Sequence, residues 1–149
     1  MANETVLSGL EPTACDTRIL SLVLQDQGPT QPKHWLLYVA LADEKEPGGR
    51  CYQVTGNPLC MVYWAPDKLI NIKKSKSYFD TVELTVVTEK EAAMVQEIAS
   101  QERPPRARDW SSRTENCQGW TVRVLNKLNE RGVVPQSKIR SVESMMESL

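Results

Sequence analysis

At 149 residues, with 18 Lys plus Arg against 19 Asp plus Glu and a net charge of -1, the chain is sized for a single domain, 1–149, that buries its core without disulfide or metal support. Such a balance gives no global field to draw in nucleic acid or an anionic membrane. No apolar run approaches a bilayer span, and "MANETVLSGLEPTACD" lacks the charged, apolar and small-residue succession of a secretory leader, so Cys15, Cys51, Cys60 and Cys117 are expected in a reducing, cytoplasmic setting.

Residues 1–16 read as a loosely held polar arm. "TRILSLVLQ" then has the length and the Ile, Leu and Val content of a strand, and "DQGPTQPK" ends it with Gly28, Pro29 and Pro32. "HWLLYVALA" is the next strand, opened by the only histidine, His34. The turn-rich "DEKEPGGR" sends the chain back as "CYQVTGNP", the second arm of a hairpin. "LCMVYWAP" and "DTVELTVVT" supply further strands, the latter alternating Val82, Leu84 and Val86 against Glu83 and Thr85. Between them the short basic cluster "IKKSKSY" reads as a solvated loop or strand edge.

At Thr88 the period changes. Thr88 with Glu91 forms a capping-box signature, and Ala92, Val95, Ile98 and Ala99 fall on one helical face. Pro104 and Pro105 forbid further helix and make "ERPPRARDWSS" a linker. A second helix is expected from about Asn116 to Arg131, stopped at Gly132, with Cys117, Trp120, Thr121, Val124, Leu125 and Leu128 as its apolar stripe. After Pro135 a last helix, "SKIRSVESMMESL", aligns Ile139, Val142, Met145, Met146 and Leu149. Strands first and helices after predict an α+β fold, a small antiparallel sheet with helices packed on one face.

The chemistry gathers at the start of the second helix. Unpaired N–H groups and the macrodipole there favour a thiolate at Cys117 and can hold a developing oxyanion. His34 is the one imidazole that could serve as base. Taken singly, Cys117 reads as the first residue of a buried stripe and His34 as a half-buried strand residue; their joint presence carries the catalytic reading. The base also needs an orienting acceptor. If Ala40 pairs with about Cys51, His34 lies opposite about Asn57 and Gln53 opposite Tyr38; if "GNP" is itself a turn, Gln53 slides closer. Trp110, in the linker just before the cysteine, could wall a substrate cleft, with Trp35, Tyr38 and Gln118 as further candidate contacts; packing in the core is the competing role for the aromatics. His34 and the cysteines lack the clustered spacing of zinc ligands, so neither a metal nor a cofactor is expected.

With "HWLLYVAL" ahead of "NCQGWTVRVL", the chain resembles the permuted branch of the papain-like thiol hydrolases. In ordinary papain-like enzymes and the bacterial cell-wall endopeptidases the cysteine helix comes first. The order here is similar to that of the lecithin:retinol acyltransferase family. The "HW", "YQVTGNP" and "NCQGW" elements are also similar to those of small fungal proteins of unassigned function. The resemblance implies a Cys-His-polar triad, with Cys117 as nucleophile, His34 as base and then acid, and Asn57 or Gln53 as orienting residue. It departs where the acyltransferases carry a second histidine, here within "YQV", and where their Glu-His-Phe is replaced by Gln118, Gly119 and Trp120. The expected activity is acyl transfer from a small-molecule or peptide substrate bearing an amide, ester or thioester. The competing expectations are a non-catalytic binding module in the same cleft, and a scaffold that docks a partner through Met145 and Met146.

Overall fold

The computed structural model describes residues 17–42 and 48–149. The expected N-terminal arm, Cys15 and most of the "DEKEPGGR" turn lie outside the described residues. Among the described residues five antiparallel strands, β1 (Arg18–Gln25), β2 (His34–Leu41), β3 (Gly49–Thr55), β4 (Val62–Trp64) and β5 (Tyr78–Val87), form one sheet in the order β4-β3-β2-β1-β5. Three helices follow: α1 (Glu89–Gln101), α2 (Cys117–Glu130) and α3 (Gln136–Glu143). The fold is α+β.

β1 and β2 pair along their whole length, from Arg18 opposite Leu41 to Gln25 opposite His34. The β2–β3 register differs from the expected one, because Ala40 faces Gly49 rather than Cys51. Glycine decides it: a Cβ at Gly49 would sit 2.5 Å from the Val39 carbonyl oxygen, so no other residue could take that place against β2. At the far end Gly56, with φ 101, turns the chain out of β3. In β5 the pairing shifts between Leu20 opposite Thr85 and Ser21 opposite Glu83, which leaves Leu84 as the extra residue of a bulge. The simple alternation therefore breaks, with Leu84 and Val87 buried and Val86 62% exposed.

One face of the sheet meets the helices. Leu20, Leu22, Trp35, Leu37 and Val54 pack against Val95, Ala99, Trp120, Val124, Leu125, Leu128 and Ile139 in one core cluster. Each large apolar side chain buried there stabilises the fold by about 1.5–3 kcal/mol relative to leaving it exposed. The other face is not bare, since Val23, Leu36, Cys51 and Ile72 form a second cluster under the connection between β4 and β5.

The capping box at α1 is present, with Thr88 and Glu91 each accepting from the other's backbone N–H. Gly132, φ 76, follows α2 in the left-handed conformation. The last helix is shorter than expected. Met145 and Met146 donate backbone bonds to Val142 and Glu143 as the chain turns off α3, so only Ile139 and Val142 are buried while Met146 and Leu149 are exposed. Among the described residues no helix is long and apolar enough to cross a membrane.

Candidate active site

α2 begins where Asn116 leaves the extended conformation and its Oδ1 accepts from Gln118 N at 2.9 Å. Cys117, the next residue, opens the apolar stripe and is therefore tucked against the start of β2. Its Sγ accepts the Trp35 backbone N–H at 3.4 Å. That contact holds the sulfur within about 6 Å of the His34 Cα, since the two atoms flank one peptide unit. Burial pushes the Cys117 thiol up to about 11, against the N–H groups of Trp35, Cys117 and Gln118, which pull it down; Glu147 adds to the rise. The expected helix-lowered thiol is thus corrected: at 4% exposure, loss of hydration outweighs the helix terminus.

His34 and Gln53 project from the sheet face opposite the helices, at the same end as the start of α2. Their side chains meet, Nε2 to Oε1, at 2.7 Å. An amide oxygen can only accept, so this contact fixes the proton on Nε2 and leaves Nδ1 with its lone pair. Burial lowers the His34 pKa and the Gln53 bond opposes it. Asn57 is not the partner. With Ala40 on Gly49 the strands are displaced by two residues from the expected pairing, and Asn57 lies beyond β3 in a turn where its Oδ1 accepts from Leu59 N. Among the described residues no hydrogen bond joins the Cys117 sulfur to the His34 ring.

Both residues line one cleft of about 760 Å³, together with Gln53, Asn57, Asn116, Trp64 and Trp110. Trp110 stands on a 3-10 turn, Trp110–Ser112, whose cap Asp109 accepts from Ser112 N, and it is 56% exposed. The Arg113 guanidinium lies 4.2 Å from its ring centre. The linker that carries Trp110 is tied down at both ends, because Arg123 of α2 binds Glu102 and Glu115 while Lys127 binds Glu102. A family model matches residues 20–135, a stretch that includes His34, Gln53, Trp110, Asn116 and Cys117. The chain belongs to a family of unknown function, DUF6540. No curated protein and no solved structure matches it.

Three expected contacts of this DUF6540 chain lie elsewhere. Trp35 is wholly buried on the helix side of the sheet, since it is the neighbour of His34 on an alternating strand, and its indole N–H finds no partner among the described residues. Tyr38 lines a separate hollow of about 420 Å³ and donates its hydroxyl to Ile70 O at 2.7 Å. Gln118 is fully buried with its amide committed to Lys33 and Glu147. Among the cleft residues not singled out in the sequence are Trp64 and Asn116. Trp64, 54% exposed, lines the cleft because alternation with Tyr63 on β4 puts the two on opposite faces. Asn116, expected only as the approximate start of the second helix, also lies in the cleft by its position before the cysteine. Among the described residues no three His, Cys, Asp or Glu side chains gather as metal ligands.

Proposed function

We propose that the chain is a cysteine-dependent acyl-transfer enzyme on a permuted papain-like framework, a hydrolase or transferase acting on an amide, ester or thioester of a small molecule or peptide. The observation that carries this reading is the 2.7 Å bond from His34 Nε2 to Gln53, which presents Nδ1 as a base at the cleft that Cys117 also lines. Burial raises the thiol and lowers the imidazole, so the resting pair is neutral and the proton moves during attack rather than before it. Sγ bonds to the carbonyl carbon while its proton passes to Nδ1. The tetrahedral anion is held by Cys117 N–H and by the Asn116 Nδ2, whose companion Oδ1 is committed to Gln118 N. Collapse expels the amine, alcohol or thiol with the proton from His34, and water or an amine then releases the acyl group. Substrate binding must close the remaining gap between ring and sulfur, as catalytic hydrogen bonds commonly tighten only in the complex. The free thiols of Cys51, Cys60 and Cys117 suit a reducing, cytoplasmic setting.

The test is acylation by p-nitrophenyl acetate. The expected result is a burst of p-nitrophenolate with an acetyl group found by mass spectrometry on Cys117, lost in Cys117→Ala and in His34→Ala. Acetylation of the exposed Cys60 alone would remove the enzymatic reading. A second reading, a non-catalytic binding module, is favoured by the thiol pushed up to about 11. In it Trp64 and Trp110 grip a small molecule or peptide, and Cys117→Ala binds that ligand unchanged.

A further inference from the structure

Behind the cleft, three residues from three separate parts of the chain close a ring of hydrogen bonds. Glu147 Oε2 accepts from Lys33 N at 2.8 Å and from Gln118 Nε2 at 3.1 Å. Glu147 N donates to Gln118 Oε1 at 2.8 Å, and Gln118 Nε2 also donates to Lys33 O at 2.9 Å. Lys33 immediately precedes His34, and Gln118 immediately follows Cys117. The ring therefore joins the residue before the base to the residue after the nucleophile, and its third member comes from beyond α3, outside the stretch that defines the family.

Within the acyl-transfer reading, on which this role rests, we propose that Glu147 is a positioning residue: it clamps the start of β2 to the start of α2 and so sets the approach of the His34 ring to the Cys117 sulfur. The geometry gives the clamp this reach. Gln118 is wholly buried, so the only groups available to saturate its amide are the ones that meet it there, and both Lys33 and Glu147 do so. Two residues on from Lys33, at the start of β2, Trp35 N–H is the group already on the sulfur. Freeing Lys33 N–H from Glu147 thus loosens the two-residue path that carries both the imidazole and the sulfur's hydrogen-bond donor. The early end of α3 also finds a role, because a helix continued through Glu147 would not bring both its backbone N–H and its carboxylate onto Gln118.

The experiment compares wild type, Glu147→Ala and Glu147→Gln in the full chain by two readouts. The first is hydrogen exchange at the Trp35 amide. The second is the pH profile of Cys117 acetylation by p-nitrophenyl acetate, with Cys60 as internal reference. Glu147→Ala is expected to speed Trp35 exchange about tenfold and to lower the His34-dependent limb of Cys117 acetylation by about tenfold, the scale of one or two lost charge-assisted bonds. Cys60 should react as before. Glu147→Gln, whose amide oxygen can still accept from Lys33 and Gln118, is expected to stay within about twofold of wild type on both readouts. Unchanged exchange and profile in Glu147→Ala overturn the clamp, as does a Glu147→Gln variant that behaves like Glu147→Ala. Should His34→Ala leave acetylation of wild-type Cys117 unaltered, the acyl-transfer reading falls, and Trp35 exchange alone still decides whether the clamp exists.

Discussion

Cys51 and Cys117 sit on opposite faces of the same sheet, and burial pushes both thiols up to about 11. Cys51 is packed among Val23, Leu36 and Ile72, and among the described residues no hydrogen bond reaches its sulfur. Cys117 is nearly as buried, at 4% against 2%, yet it borders a cleft that His34 also lines and takes the backbone N–H of the residue after His34. Similar thiol pKa values with unequal surroundings separate a structural thiol from a candidate nucleophile. In the proposed acyl-transfer reading the shared cleft and the neighbouring His34 make the difference, and the resting pKa does not.

The sharpest way to break that comparison is by deletion. Cys117→Ala is expected to abolish the acetyl-enzyme burst and His34→Ala to slow it by about 10²–10⁴-fold, whereas Cys51→Ala leaves it intact, as followed by stopped-flow release of p-nitrophenolate. If Cys51→Ala were as damaging as Cys117→Ala, the two sites would not differ in the way described. Next in size is the orienting contact. Gln53→Ala frees Nε2 and should slow acetylation roughly tenfold or more, while Asn57→Ala, which loses only a turn bond to Leu59 N, should stay near wild type. Equal effects would return the third position to doubt.

Smaller effects concern stability. Gln118→Ala leaves Lys33 O and the Glu147 groups without their buried partner, and urea denaturation should show a loss of about 1–3 kcal/mol. Alkaline pH should weaken both cysteine sites together. Each folded thiol titrates near 11 against an ordinary 9, so the unfolded chain releases its protons first and stability falls as pH rises from about 9 towards 11. The loss is on the order of 1–3 kcal/mol per thiol. Cys51→Ala and Cys117→Ala should each remove part of that slope. On the acid side His34, whose folded pKa is lowered, costs stability as pH drops below 6.5, because the unfolded imidazole takes its proton more readily.

What could be read from the residues was local. The Thr88–Glu91 box, the stripe of α2 and the stop at Gly132 are short-range patterns whose physics is complete within a few residues, and they stand where expected. The pairing of Cys117 with the start of β2 was also foreseeable, since a stripe that begins at a helix terminus must pack against the end of the sheet. The failures were matters of distance. Whether Gly49 or Cys51 faces Ala40 depends on a close approach to Val39 that only the assembled sheet defines, and the choice between Gln53 and Asn57 follows from it. The bulge at Leu84 answers to β1, and the end of α3 answers to Gln118, neither of which lies nearby in the chain. The thiol was misjudged because a helix start is visible in sequence and the depth at which it lies is not.

One measurement bears on the central claim most directly: the rate of Cys117 acetylation by p-nitrophenyl acetate as a function of pH, in wild type and His34→Ala. A neutral imidazole acting as base gives a rate that climbs through a midpoint below 6.5 to a plateau near neutrality, and His34→Ala lacks that limb. A wild-type rate that only follows thiol ionisation towards about 11, and is the same in His34→Ala, would contradict it.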